Sequence, residues 1–135
     1  MDIASAFAIS AAGMNVQSAR LRVVAENLAN AQTTADSPGG DPYRRKVITF
    51  SDRLDATTGA ALVAVKSVSV DPSDFPLKYD PSHPGANAQG YVKMPNVDTF
   101  VETLDMREAQ QSYNANLEVL QVTRTMLNRT IDMLK

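Results

Sequence analysis

The sequence contains no cysteine and no tryptophan. The first absence excludes disulfide frameworks, thiolate metal sites and a cysteine nucleophile, and it is compatible with an oxidising compartment. The second belongs to a wider shortage of large side chains. Phe and Tyr number four each, and 18 of the 135 residues are alanine. The apolar share of 44% therefore overstates the material for a core. A chain of one-domain length with so few large apolar residues is expected to complete its core with partner chains. A basic surplus is also missing: 13 Lys and Arg face 15 Asp and Glu, net −2. The electrostatic footprint of a nucleic-acid binder is thus absent. No apolar run approaches the ~18 residues of a membrane span, so membrane insertion is not expected. Ile3 to Ala12 is apolar, and Ala6-Phe7-Ala8 spells an A-x-A. But Asp2 stands where a signal peptide needs basic residues, and the A-x-A comes too early, so no cleaved signal is expected.

Proline and glycine divide the chain. All seven prolines and five of the six glycines lie between Pro38 and Pro95. The flanks hold only Gly13, and helices run where breakers are absent. The expected organisation is an N-terminal helix within 1–34, a β-rich middle domain with loops at 35–95, and a C-terminal helix within 96–135. The fold class is mainly α, the two long helices pairing as a coiled-coil-like hairpin beside the small β domain.

In the first flank Ile3, Phe7, Ser10, Met14, Gln17, Leu21, Val24 and Leu28 alternate steps of four and three, a heptad seam. Alanines around it permit close approach of a neighbour. In the second flank Asn96 is a candidate N-cap after Pro95. Asp98, Glu102, Asp105 and Glu108 then favour the positive end of the helix dipole, and Arg124, Arg129 and Lys135 the negative end. Tyr113, Leu117, Leu120, Arg124, Leu127, Ile131 and Leu134 form one stripe, and Val119, Met126 and Met133 a second. One helix partner needs one stripe, so two stripes predict at least two neighbours. Extended apolar strips of this kind mark interaction surfaces. The expected subunit interfaces are Ile3, Phe7, Met14, Leu21, Val24 and Leu28 on the first helix. On the second they are Tyr113, Leu117, Val119, Leu120, Met126, Leu127, Ile131, Met133 and Leu134. A monomeric bundle of ordinary amphipathic helices is the plainer alternative.

The middle balances seven basic against seven acidic residues. Arg45–Phe50 reads as a strand, and Val63/Val65 and Val68/Val70 alternate in opposite phases, which predicts a bulge at Lys66-Ser67. Leu77–Tyr79 and Tyr91–Met94 read as short extended pieces. Asp36–Pro42 and Asp80–Gly90 carry turn chemistry.

Candidate chemistry is sparse. His83 is the only histidine and lies in Pro81-Ser82-His83-Pro84. It has no second histidine or cysteine for a metal and no partner for acid–base work. Asp52/Asp55 and Asp71/Asp74 read as solvated turn aspartates. Ser37-Pro38-Gly39-Gly40-Asp41-Pro42 has no lysine at P-loop spacing. Arg44-Arg45-Lys46 is the one basic cluster, and in a chain without basic surplus it is expected to pair with acidic groups on neighbouring subunits. No catalytic, cofactor or metal site is expected, and the chain does not read as an enzyme.

Four strings, in order, carry a resemblance. They are Asn27-Leu28-Ala29-Asn30-Ala31, Pro42-Tyr43-Arg44-Arg45-Lys46, Tyr91-Val92-Lys93-Met94-Pro95-Asn96-Val97, and Ser112 to Leu120, reading SYNANLEVL. With them the chain resembles the bacterial flagellar rod and hook axial proteins, and within these the proximal rod C-type subunits. The resemblance runs end to end and is weakest over 51–80. Distal rod and hook proteins commonly continue the Ala-Asn string into Thr-Pro-Gly-Tyr. Here Thr33-Thr34 leads into a longer turn, which favours a proximal subunit. The resemblance implies a structural subunit exported without a cleaved signal through the flagellar type III apparatus. It implies polymerisation into the hollow periplasmic rod of the basal body, which transmits torque and lets exported subunits pass. The implied partners are copies of itself, the proximal rod B- and F-type and distal rod G-type subunits, and the adaptor joining rod to MS ring (FliE). The alternative is a coiled-coil adaptor or type III secreted component forming a small closed oligomer.

Overall fold

In the computed structural model, which describes residues 3–133, the proline-free flanks are helices and the middle is sheet and turn. Helix α1 spans Ile3–Ala29. It ends where the Asn30 side chain donates to the Glu26 carbonyl (2.9 Å), reinforcing an acceptor of the last turn. Helix α2 spans Thr99–Met133. Its cap is Asp98, whose Oδ1 accepts from the N–H groups of Phe100 (2.9 Å) and Val101 (3.2 Å). Asn96 is therefore not the N-cap that the sequence suggests. Its side chain is taken by the strand entry described below, and the helix begins three residues later.

Strands β1 (Lys46–Leu54) and β2 (Ala61–Val70) form one two-stranded sheet. The short connection between them makes the pair an antiparallel hairpin. Asp55 closes that connection by accepting from the N–H groups of Thr57 and Thr58, both at 2.9 Å. β2 runs unbroken through Lys66-Ser67, where the Val alternation changes phase. Strands β3 (Leu77–Tyr79) and β4 (Tyr91–Lys93) pair antiparallel, Leu77 opposite Lys93 and Tyr79 opposite Tyr91. Gly90 enters β4 with φ +83°, and a Cβ there would stand 2.9 Å from the Tyr79 ring. Only glycine suits that position.

Two compact units result, each drawing on both helices. The first contains α1 up to Leu21, Thr49–Ser67 of the hairpin, and α2 from Arg107 onward. Its interior includes Ser10, Val16, Leu62 and Ala109. A Cβ at Gly13 would lie 2.8 Å from Asn116 Oδ1, so the missing side chain lets the helices approach there. Arg20 and Glu108 form an ion pair at 3.1 Å. The second unit comprises Arg22–Ile48 and Val68–Met106. Its interior includes Val23, Val24, Asn27, Val92 and Glu102. Polar groups thus occupy the interior of a chain whose buried apolar side chains, among the described residues, are nothing larger than Leu62.

Candidate functional site

The second unit is built around a buried polar cluster. Asn27, on the last turns of α1, is 1% exposed, and Glu102, on the first turn of α2, is 0% exposed. Asn27 Nδ2 donates to Glu102 Oε2 (3.1 Å) and to the Lys46 carbonyl (2.9 Å). Its Oδ1 accepts from the Lys46 N–H (2.9 Å) and the Tyr43 hydroxyl (2.9 Å). All four hydrogen-bonding valences of the amide are used. The other Glu102 oxygen, Oε1, accepts from Arg45 Nε, and Arg45 also reaches Asp71 Oδ2 at 3.5 Å. Asn96 Oδ1 accepts from the Arg45 N–H (2.8 Å), and its Nδ2 donates to Ser73 Oγ (2.9 Å). Arg44 stacks 4.1 Å above the Phe75 ring and donates to the Asp71 and Ser73 carbonyls. Lys46 Nζ pairs with Glu26.

The electrostatics follow from these contacts. Burial pulls the Arg45 guanidinium down, but the hydrogen bond and charge of Glu102, with Asp71, outweigh it and raise the pKa. The Lys46 ammonium is raised by its bond to Glu26. Burial raises the Tyr43 hydroxyl, and the Glu26 charge adds to that. Hydrogen bonds from Ser73 hold the Asp71 carboxyl below the usual carboxylate range, and Arg45 adds to this.

Two expectations are corrected here. The sequence suggests that Arg44-Arg45-Lys46 pairs with acids of neighbouring subunits. Instead Arg45 meets Glu102 and Asp71, Lys46 meets Glu26, and Arg44 lies on Phe75, all within the chain. A cation delivered by a strand entry beside a buried carboxylate avoids the cost of leaving either charge alone. Asp71 likewise belongs to this cluster and is not a purely solvated turn aspartate. Glu102, Glu26 and Asp71 are the members that sequence reasoning missed. The available signal was the basic cluster itself, which needed acids somewhere.

Three of the four motif strings converge on this cluster, and Ser112 to Leu120 lies in the first unit. Asn27, Tyr43, Arg45, Lys46 and Asn96 are in it, and Asn30 closes α1 above it. Pro42, Val92 and Pro95 are buried, Arg44, Lys93 and Met94 half-buried, and Ala29 and Tyr91 exposed. Lys93 pairs with Asp41 at 2.9 Å.

The second feature is apolar and outward. On α1, Val24 is buried, Phe7, Met14, Leu21 and Leu28 are half-buried, and Ile3 is exposed. On α2, Tyr113 and Leu120 are half-buried, whereas Leu117, Val119, Met126, Leu127, Ile131 and Met133 are exposed; Leu134 lies outside the described residues. The face of α2 turned inward carries Glu102, Ala109, Asn116 and Leu120, mostly small or polar. Val119, Val122, Met126 and Met133 form a stripe that the single chain leaves uncovered, Met126 at 60% and Met133 at 82% exposure.

No group of three or more potential metal-ligating side chains occurs among the described residues. His83 sits half-buried in its turn, Nδ1 accepting from the Gly85 N–H (2.9 Å) and Nε2 lying 3.0 Å from Thr34 Oγ1. Its contacts tie the turn to the segment after α1. No described helix is long and apolar enough to cross a membrane.

Comparison with known proteins places these features in one family. Residues 88–133 match the family described as flagellar basal body rod FlgEFG protein C-terminal. The flagellar basal-body rod protein FlgC of Agrobacterium fabrum is 51% identical over 133 residues, 98% of this chain and 96% of that protein. The protein of the same name from Salmonella typhimurium is 42% identical over 98% of both chains. That from Bacillus subtilis is 37% identical over 93% of both. With such identity over nearly its whole length, the chain belongs to the FlgC family, structural components of the flagellar basal-body rod.

Proposed function

We propose that the chain polymerises into the proximal rod, a hollow periplasmic drive shaft that transmits torque and lets exported subunits pass. The observation that carries this reading is the uncovered stripe of Val119, Val122, Met126 and Met133 on α2. A stripe repeated along a rod-forming helix favours lateral, head-to-tail packing, which generates an open helical polymer. In this reading the helices of 1–34 and 96–135 form the inner layer, and 35–95 faces outward. The partners are other copies, the B- and F-type proximal and G-type distal rod subunits, FliE and the flagellar type III export apparatus, which takes the chain without a cleaved signal. The role is structural and needs no cofactor.

Met126→Glu tests it. The side chain is largely solvated in the single chain, so the free subunit should fold and be exported. In the polymer the carboxylate would be buried without a partner, at a cost of several kcal/mol per copy. Cells carrying it should secrete the subunit and stop at an incomplete basal body. Complete rods containing the variant would show that this face stays in water. A closed oligomer of fixed size, growing no further with concentration, would favour the adaptor reading.

A further inference from the structure

We infer that Glu102 is a register lock: a buried carboxylate that fixes α1 against the start of α2 in one axial setting. Heptad seams are periodic, so apolar packing alone tolerates a slip of one turn or one heptad, about 5.4 or 10.5 Å along the axis. In the second unit α2 contributes little apolar packing to resist it. Of the α2 residues there, Phe100, Val101 and Leu104 are exposed, Met106 is half-buried, and Glu102 is the one fully buried side chain. Each carboxylate oxygen has its own donor from a different element, Asn27 of α1 on Oε2 and Arg45 of the β1 entry on Oε1. Asn27 and Arg45 are themselves fixed, Asn27 by both backbone groups of Lys46 and Arg45 by Asn96 and Asp71. A slip of one turn separates Glu102 from Asn27 and leaves a buried charge short of a partner. Slipped settings are thereby penalised far more than by lost apolar contact, the use for which single buried polar groups are best attested. Glu102 is a positioning residue for the start of α2.

The absence of cysteine makes the test direct. Cysteines at the exposed positions Arg22 and Thr99, well separated along the axis, carry spin labels on α1 and α2 of the full chain, and pulsed EPR reads the distance between them. The parent should give one narrow distribution. Arg45→Leu with Glu102→Leu removes the ion pair together and leaves one Asn27 N–H unpaired. Helix content by circular dichroism should persist, while the distribution splits, with a second population displaced by roughly 3 Å, the part of a one-turn slip that lies along the label–label vector. A single parental distance in that folded variant overturns the proposal. Glu102→Gln covers the case in which the leucine pair does not fold. Its amide keeps the shape but offers one acceptor to two donors, so the same second population should appear. A glutamine variant indistinguishable from the parent also overturns the proposal.

Discussion

Replacing Asn27 by alanine tests whether the motif asparagines act inside the chain. The perturbation removes four hydrogen bonds, all at 2.9–3.1 Å. One leaves the fully buried Glu102 carboxylate with Arg45 alone, and hydrogen bonds to charged groups are worth roughly 1.5–3 kcal/mol. Two more orphan the N–H and carbonyl of Lys46 at the β1 entry, at roughly 1–3 kcal/mol each if no water enters. Tyr43 is only half-buried and can turn to solvent. Allowing for water at the partly buried groups, the loss is about 3–5 kcal/mol, a large part of a typical domain stability of about 5–15 kcal/mol. Asn30 belongs to the same string but makes different contacts. It bonds the Glu26 carbonyl, which the Asn30 backbone N–H already serves, and accepts from an exposed Thr33 hydroxyl. Asn30→Ala should cost about 1 kcal/mol or less. Urea unfolding of the free subunit, followed by circular dichroism, compares the two, and amide exchange at Lys46 localises the effect. Equal losses in the two variants, within about 0.5 kcal/mol, would refute the assignment of Asn27 as the centre of the second unit.

Three further outcomes are expected. Asp41, Asp55, Asp71 and Asp80 all have folded pKa values below 3.8, held there by Lys93, the Thr58 and Thr57 amides, Ser73 and Ser82 respectively. Their stabilisation is complete above the unfolded value and lost as pH falls through the folded ones, so urea midpoints should drop below pH 3.8, and Asp71→Asn should flatten that limb; midpoints that rise on acidification there would contradict it. Gly90→Ala should lower stability more than Gly59→Ala, because both have positive φ but only Gly90 faces Tyr79 and Pro81 at 2.9 and 3.2 Å; equal thermal shifts would show that the Gly90 contact yields freely. His83→Ala should cost about 1 kcal/mol through its contacts to Thr34 and Gly85 and leave swimming near normal; lost motility with a folded, exported subunit would reopen the search for chemistry at this turn.

Local chemistry determined a good deal of this protein from the sequence alone. Proline and glycine confined to the middle left two uninterrupted flanks, and both are helices, Ile3–Ala29 and Thr99–Met133. β-Branched runs placed β1 and β2, and Leu77–Tyr79 is a strand at the predicted residues. These are properties of neighbours a few residues apart, where steric and hydrogen-bonding preferences act without the rest of the fold. The scarcity of large side chains and the second α2 stripe similarly signalled faces that one chain leaves open. The tertiary structure decided which side of each helix turns inward and which groups pair. Asn96 has good N-cap chemistry, yet Arg45 claims it and Asp98 caps α2 instead. Asn27 finds Glu102 at a separation of 75 residues, and Arg45 finds it at 57. Spacing along the chain cannot specify such partners. They are chosen by the closure of the intervening sheets and turns, which delivers a cation and an amide to a carboxylate that would otherwise be too costly to bury.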